Sequence, residues 1–279
     1  MNDAASSRDP LVGRTLRAYE IGQVIGVSRW GRVYRASQKT VGRTVAVRVL
    51  SPGMAALPGK ADLFLEETRA DASLQHPNLV TVYEAGQSDG IYFCAMEYMD
   101  GPPLARFLRK GEEVNEHHLL RTIVGVAQAL NFLWQHNVPH QPPIDKNVLT
   151  SKDGVVKLIN VAPVDMPASA SPQEDVVNLA VMVATLTNDI GPVSKPVSEF
   201  VEGMLGAEGR RTFSSLDEVI DAAEALDREI LPPVRFARRA AERPRPKPTI
   251  LLWLIASALV VIAAIAFVIW WRARTQLLW

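Results

Sequence analysis

The sequence contains only one cysteine, Cys94, in 279 residues, which excludes an internal disulfide bond. Cys94 lies in the apolar run 91–96 and is expected to pack inside a strand, as suits a protein of a reducing compartment. Residues 1–16 lack the apolar segment and the cleavage site of a secretory signal peptide. Internal repeats are absent too. Nothing in the first residues therefore directs the N-terminus across a membrane.

The charge is unevenly distributed, although its net value is zero. Residues 235–279 carry eight basic residues and one acidic residue, so residues 1–234 hold 22 basic against 29 acidic residues, a balance of −7. An acidic domain repels nucleic-acid phosphates, so no nucleic-acid partner is expected. His117 and His118 are neighbours without the spacing of metal ligands, and no metal site is predicted from them.

An uncharged run at residues 249–271 predicts a transmembrane helix. A helix of these 23 residues would be roughly 34 Å long, enough to cross the hydrocarbon core of a lipid bilayer. Trp253, Trp270 and Trp271 lie near its ends, where such rings prefer the lipid headgroups. A buried core helix is the alternative, but it would need a large apolar surround and only eight residues follow.

Basic residues flank this run unequally. Only Arg272 and Arg274 follow it, whereas six basic residues precede it: Arg235, Arg238, Arg239, Arg243, Arg245 and Lys247. By the positive-inside rule the preceding domain is expected in the cytoplasm. The basic, proline-rich linker 232–248 also has a second interpretation, contact with anionic lipid worth about 1 kcal/mol per basic residue, although a topology signal explains it sufficiently.

The N-terminal part has the pattern of strands. Alternation and apolar content predict five of them, at 19–24, 32–36, 44–50, 79–85 and 90–96. A glycine-bearing turn at 26–31 joins the first two strands. A helix is predicted at 60–74, and it ends before His76-Pro77 because proline restricts the residue before it.

From residue 104 the apolar period becomes helical. Helices are predicted at 116–136, 174–187, 197–205 and 215–230. Strands followed by helices indicate an α+β protein with two lobes. The expected organisation is a polar tail, a strand-rich lobe, a helical lobe, the linker, the transmembrane helix and a short tail, at 1–17, 18–100, 101–231, 232–248, 249–271 and 272–279.

The order of features resembles bacterial-type (Hanks-type) Ser/Thr protein kinases over residues 17–228. The segment 26–33 is similar to the phosphate-covering loop G-x-G-x-x-G-x-V, with Ser28 at the middle glycine. Val45-Ala46-Val47-Arg48 resembles V-A-I-K with Arg in place of Lys. The helix before His-Pro-Asn places Glu67 at the ion-pair carboxylate, and the run 96–99 resembles the gatekeeper and hinge.

The resemblance implies a two-lobed kinase-like fold, with a five-stranded N-lobe that holds one helix and a mostly helical C-lobe. The nucleotide-binding candidates that it implies are Gly26, Gly31, Val33, Ala46, Arg48, Glu67, Glu97, Met99 and Asn147. Small Ala46 leaves room for a flat base, and Arg48 is expected to meet Glu67. An ordinary surface charge pair is the alternative for these two residues.

The catalytic positions depart from the family pattern. The segment 140–149 aligns with H-R-D-x-K-x-x-N-x-L and puts Pro142 at the catalytic Asp and Ile144 at the loop Lys. Proline has no side-chain acceptor, and losing a general base costs about 10²–10⁴ in rate. Asn160 takes the place of the metal-binding Asp of D-F-G, and a neutral amide is a weaker ligand for Mg²⁺ than a carboxylate.

The segment that should hold the activation loop is also short. Asp175 resembles the Asp of the D-x-x-S-L-G-V helix start, so only fourteen residues separate it from Asn160. Ser169 and Ser171 in this stretch are interpreted as plain loop serines, because Gln141 replaces the Arg that would pair with a phosphate. Arg211 resembles the arginine that braces this segment, and a role in folding is favoured for it.

The sequence therefore favours a catalytically inactive pseudokinase that acts in signalling as a scaffold or regulator at the membrane, bound to a partner protein such as an active kinase. One rival is an atypical Ser/Thr kinase in which Asp145 substitutes for the base, although three residues of extended loop span about 10 Å. Another rival is a sensor that binds ATP without transferring phosphate. No cofactor is assigned with certainty: ATP is compatible with the candidates, and Mg²⁺ is disfavoured.

Overall fold

The computed structural model describes residues 9–28, 31–111, 113–138, 140, 142–159 and 169–230. Asn160, the linker 232–248, the predicted transmembrane helix 249–271 and the tail 272–279 lie outside these residues. In the described part of the chain, no helix combines the length and the apolar content needed to cross a membrane.

The N-lobe is built on one antiparallel sheet with the strand order β1-β2-β3-β4-β6-β5. Its strands are β1 Thr15–Leu16, β2 Tyr19–Ser28, β3 Gly31–Gln38, β4 Arg43–Leu50, β5 Val82–Ser88 and β6 Ile91–Glu97. The expected five strands are therefore six. Leu16 is fully buried under the sheet and pairs with Tyr19, so the residues before the first predicted strand add a short edge strand.

Two helices follow β4, where one was expected. Helix α1, Pro52–Ala55, is a single turn that Ser51 caps by accepting a hydrogen bond from the Met54 amide at 3.3 Å. A turn this short has no apolar periodicity for sequence reasoning to detect. Helix α2, Lys60–Ala72, is the predicted helix, and it buries Phe64, Thr68 and Asp71.

Residues 9–17, which the sequence assigned to a polar tail, pack against the N-lobe sheet. The buried Asp9 carboxylate accepts hydrogen bonds from the Tyr34 hydroxyl at 3.0 Å and from the Leu11 amide at 2.9 Å, and it pairs with Arg32. Desolvation opposes these donors, but together they hold the pKa of Asp9 below its ordinary value. The ordered lobe thus extends upstream at least to Asp9.

The C-lobe is mostly helical, as expected. Its elements are α3 Leu104–Phe107, β7 Arg109–Lys110, β8 Glu113–Val114, α4 Glu116–Gln135, β9 Val148–Thr150, β10 Val156–Leu158, α5 Pro172–Ile190, α6 Lys195–Met204 and α7 Leu216–Ile230. Helix α4 is central because it packs against α5, α7 and β10. Side chains capping helix N-termini include Asn115, Ser171 and Ser215, which accept from backbone amides one turn later. The segment 140–149, called the catalytic-type loop below, runs into the hairpin β9–β10, which positions it through the hydrogen bond from the Ile159 amide to the Asn147 carbonyl.

Candidate functional site

The glycine-bearing hairpin β2–β3 is tightly packed at Gly31, where β3 begins after the turn. Gly26 lies opposite Val33, and Gly31 lies opposite both Ser28 on β2 and Leu50 on β4. Gly31 has a φ of +154°, and a Cβ there would overlap the Val49 carbonyl oxygen. Only glycine fits this close approach of two strands. The structure therefore requires Gly31 for the hairpin itself, whether or not a nucleotide binds.

Below the hairpin, apolar side chains from both lobes form one cluster. Ala46 on β4 lies directly opposite Met96 on β6, and the cluster also includes Val33, Met99 and Leu149. Sequence reasoning selected Val33, Ala46 and Met99 as binding candidates, and the structure brings them together. Leu149, on β9, was missed as a candidate, although it is the last residue of the aligned catalytic-loop motif. Ala46 and Met96 are buried in this cluster, while Val33, Met99 and Leu149 are partly buried at its edge.

Arg48 lies half-buried on β4, opposite Cys94 on β6. Burial lowers the pKa of Arg48, while the nearby Cys94 thiol and Glu67 carboxyl act in the opposite direction. Burial likewise raises the pKa of Glu67, with Arg48 and Lys60 opposing that rise. Arg48 and Glu67 are both half-buried, so they are not an exposed surface pair. Burial also raises the pKa of the Cys94 thiol to about 12, which leaves it neutral and unreactive.

The hinge carboxylate Glu97 is engaged inside the protein. Its Oε2 atom accepts from Lys157 Nζ at 2.7 Å and from the Thr81 amide at 3.2 Å. Farther along the hinge, Lys152 Nζ contacts the Asp100 carboxylate at 3.0 Å, and the Gly101 amide donates to the Thr150 carbonyl at 3.0 Å. The hinge is therefore tied to the β9–β10 hairpin. The Glu97 side chain serves this connection, and its backbone amide donates to the Thr81 carbonyl at 2.8 Å.

The catalytic-type loop, residues 140–149, has uncharged side chains at positions 142 and 144. A 3₁₀ turn at Asp145–Asn147 orders its end, and the Asn147 carbonyl accepts from the Ile159 amide at 2.8 Å. Pro142 is half-buried at the position of the general base, and Ile144 is exposed at the position of the loop Lys. Pro142 and Asp145 line the same cavity of about 240 Å³.

Asp175, at the start of α5, forms a buried hydrogen-bond network under this loop. Its Oδ2 atom contacts His140 Nε2 at 2.7 Å and Trp134 Nε1 at 2.6 Å, and Ser169 donates its hydroxyl to Oδ1. The Ser169 amide also donates to the His140 carbonyl at 2.9 Å. Desolvation acts to lower the pKa of His140, but the hydrogen bonds to Asp175 and to the Val138 carbonyl raise it overall.

The two serines interpreted as plain loop residues therefore have structural roles. Ser169 is buried against Asp175, and Ser171 is the N-cap of α5, accepting from the Glu174 amide at 3.1 Å. The sequence carried a signal for the second role, since a Ser three residues before Glu at a helix start is the pattern of a capping box. Ser169 had no such local signal.

Two positions at which the family pattern has charged catalytic groups hold uncharged side chains, Pro142 and Ile144. In the described ranges no three His, Cys, Asp or Glu side chains form a group that could hold a metal ion. Pro142 offers no proton acceptor and Ile144 no cation at positions where the family pattern has both. Asn160, at the place of the family's metal-binding Asp, lies outside the described residues.

Comparison with known proteins identifies the class to which this architecture belongs. The family model of the protein kinase domain matches residues 19–163, so the chain belongs to the protein kinase domain family. Among curated relatives, the probable serine/threonine-protein kinase SCO3848 of Streptomyces coelicolor is 32% identical over 146 residues, which cover 51% of this chain and 22% of the relative. PknA of Mycobacterium tuberculosis is 27% identical over 236 residues, covering 81% of this chain and 54% of PknA.

Solved structures agree with this assignment. A double mutant of the kinase domain of Mycobacterium tuberculosis PknI superposes with a TM-score of 0.62 at 26% identity, covering 77% of this chain and 98% of that domain. The wild-type PknI kinase domain gives a TM-score of 0.61 at 25% identity. The chain is thus a bacterial Hanks-type Ser/Thr protein kinase domain. It spans only about a fifth to a half of the length of these curated kinases.

Proposed function

We propose that this protein is a catalytically inactive member of its family, a pseudokinase that serves as a scaffold or regulator in signalling at a membrane. The observation that carries the proposal is Pro142, whose side chain has no proton acceptor. It stands two residues after His140, which Asp175 holds in place, at the position where the family has its general base. The half-buried Arg48 supports the proposal, because a planar guanidinium differs in shape from the ammonium that the family aims at phosphates.

The test is a phosphotransfer assay on the full chain with ATP and, in turn, Mg²⁺ or Mn²⁺. Two acceptors are followed: the chain itself, by autophosphorylation, and a generic basic protein. No incorporation above that of a heat-denatured sample is expected. The matched variant is Asp145→Asn, because Asp145 lines the same cavity as Pro142 and is the carboxylate through which an atypical kinase would act. Incorporation that this variant abolishes would establish the atypical kinase in place of the pseudokinase.

A second candidate function, nucleotide sensing, is favoured by the apolar cluster around Ala46 and Met96. A protein that binds ATP without hydrolysing it is stabilised by roughly 2.7 kcal/mol at a nucleotide concentration of 100 Kd. Thermal unfolding with and without ATP, each in EDTA and in Mg²⁺, measures this. An ATP-induced rise in the unfolding temperature that persists in EDTA would show that binding needs no divalent metal. Such binding is consistent with the described residues, among which no cluster of metal-ligating side chains occurs.

Membrane anchoring through residues 249–271, with the kinase-like domain on the cytoplasmic face of a bacterial inner membrane, is part of the same proposal. Its support is the uncharged run and the basic linker before it. Fractionation of cells that express the full chain, or residues 1–248 alone, tests it. Only the full chain should sediment with membranes, and in spheroplasts its domain should resist external protease. A chain that stays in the soluble fraction would contradict the anchor.

Liposome binding of residues 1–248 separates the two interpretations of the linker. A topology signal predicts no affinity for anionic vesicles, whereas a lipid contact predicts binding that weakens as salt is added.

A further inference from the structure

Beside the altered catalytic-type loop lies an apolar groove, formed by the loop and one face of α5. Pro142 and Ile144 line it from the loop, and Val181 and Met182 line it from α5. Ile144 and Val181 are 41% and 50% exposed, and Val177, one helical turn before Val181 on the same face, is 41% exposed. Apolar side chains grouped in this way at the surface mark an interaction site more often than isolated ones do.

The groove also carries polar groups that lack partners. The Nδ2 atom of Asn178 is a buried donor for which the described part of the chain provides no acceptor. The carboxylates of Asp145 and Asp189 line the same cavity, and neither has an ion-pair partner in the described residues. Arg109 contacts the carbonyl oxygen of Asp189 and not its carboxylate. An occupant that presents a carbonyl oxygen and a cation would satisfy these three groups.

Two of the family departures create this surface. In the family pattern positions 142 and 144 carry an acid and a base, whereas this chain has Pro142 and Ile144, which are apolar. The loss of these charges removes the groups that act on a phosphoryl group, and it turns the same place into a surface that gains free energy when water leaves it.

We propose that this groove, defined by Pro142, Ile144, Asn178, Val181, Asp145 and Asp189, docks a segment of a partner protein that presents apolar side chains next to Lys or Arg. The apolar side chains fill the space between Ile144 and Val181, and the cation pairs with Asp189 or Asp145. A backbone carbonyl of the segment accepts from Asn178. The inference rests on the proposed loss of catalysis. A docked segment fills the space beside Pro142 and leaves no room there for a substrate hydroxyl.

The experiment uses the full chain in detergent micelles and three labelled synthetic peptides, with alternating Leu and Arg, Leu and Glu, or Ser and Arg. Fluorescence anisotropy measures their affinities. The Leu/Arg peptide is expected to bind about tenfold more tightly than either of the others, because only it offers both apolar contact and positive charge. Equal binding of the Leu/Glu peptide would overturn the proposal.

Two variants locate the binding. Val181→Lys places a cation in the groove and should weaken Leu/Arg binding about tenfold, whereas Val41→Lys, at a position 66% exposed in the turn between β3 and β4, should leave it unchanged. Asp189→Asn should weaken it less than Val181→Lys does. Both variants must first be shown to melt at the wild-type temperature. Equal effects of the two lysine substitutions on peptide binding would then contradict docking in the groove. That failure would leave the phosphotransfer result, and so the proposed function, untouched.

Discussion

The two sides of the interlobe cleft have diverged from the kinase pattern to different extents. On the N-lobe side Val33, Ala46 and Met96 keep the residue types of the family and pack into one cluster. On the C-lobe side Pro142 and Ile144 replace the charged groups of the catalytic loop. The N-lobe side thus keeps the apolar residues of the family pattern, whereas the C-lobe side departs from that pattern at two charged positions, as the proposed role in binding without phosphotransfer would allow.

The C-lobe side has two parts. One is the frame, the hydrogen-bonded residues Trp134, His140, Ser169 and Asp175, and the other is the reactive positions 142 and 144. The frame under the loop is intact, because His140, Trp134 and Ser169 all hydrogen-bond to the buried Asp175. These residues hold the backbone of the loop that carries Pro142 and Ile144. The fold and the chemistry of this loop are therefore separable, and stability should depend on the first and not on the second.

The largest expected effect is on that frame. Asp175→Ala removes the acceptor of three buried donors and the counter-charge of His140, and breaking a buried pair in this way costs about 3–5 kcal/mol. Urea unfolding, followed by circular dichroism, measures the change. Asp145→Ala, five residues from His140 but exposed, should change the free energy of unfolding by no more than about 0.5 kcal/mol. Similar losses in both variants would remove the distinction between frame and reactive positions.

The next prediction tests whether the N-lobe side of the cleft binds a nucleotide. Ala46→Phe fills the space opposite Met96, so the stabilisation that ATP confers, roughly 2.7 kcal/mol at 100 Kd, should disappear. Thermal unfolding with and without ATP measures it, with each variant compared with its own nucleotide-free state because overpacking alone lowers stability. Val41→Phe, on an exposed turn, is the control. Absence of an ATP shift in the wild type would mean that both sides of the cleft have lost their function.

Much of the fold was predictable, because long elements carry strong periodic signals. The helix predicted at 116–136 is α4 at Glu116–Gln135, and the helix predicted at 60–74 is α2 at Lys60–Ala72. Short elements were missed: β1 has two residues and α1 four, too few for a period. The alternation predicted through Tyr19, Ile21 and Gln23 breaks at an irregularity after Ile21, so Gln23 is exposed.

The site was predictable only where a linear motif marks it. Gly31, Ala46 and Arg48 stand in motifs, and they lie on neighbouring strands, Gly31 on β3 and the other two on β4. Lys157, which pairs with Glu97, and Ser169, which donates to Asp175, belong to no linear motif. Their partners lie 60 and 6 residues away, and such pairings depend on tertiary packing rather than on local sequence.

A smaller effect is expected at the hinge, which joins the two sides. Lys157→Met removes the cation facing Glu97, whose side chain is 26% exposed, and a hydrogen bond to a charged group contributes about 1–3 kcal/mol. Urea unfolding should show a loss within that range and below that of Asp175→Ala. The exposed neighbouring pair offers the control: Lys152→Met, which removes the partner of Asp100, should produce no resolvable change. Equal losses would show that burial does not distinguish the pairs.

The smallest expected effect is the pH dependence of the frame. The pKa of His140 in the folded protein is raised by Asp175 and by the Val138 carbonyl, above the value of about 6.5 in an unfolded chain. The stabilisation from this proton is therefore fully present below that unfolded value, and it is lost as the pH rises through the folded pKa. The measurement is the urea midpoint between about pH 5.5 and 8.5, where an unperturbed histidine changes charge.

His76 complicates the raw curve, because burial and the nearby Lys157 lower its pKa and give a dependence of opposite sign. The difference between the wild type and His140→Gln isolates the frame, since His76 is present in both proteins. That difference should shrink as the pH rises. A difference that is constant across the range would mean that His140 contributes through packing and neutral hydrogen bonds alone, so the frame would be independent of charge, like the apolar cluster on the opposite side of the cleft.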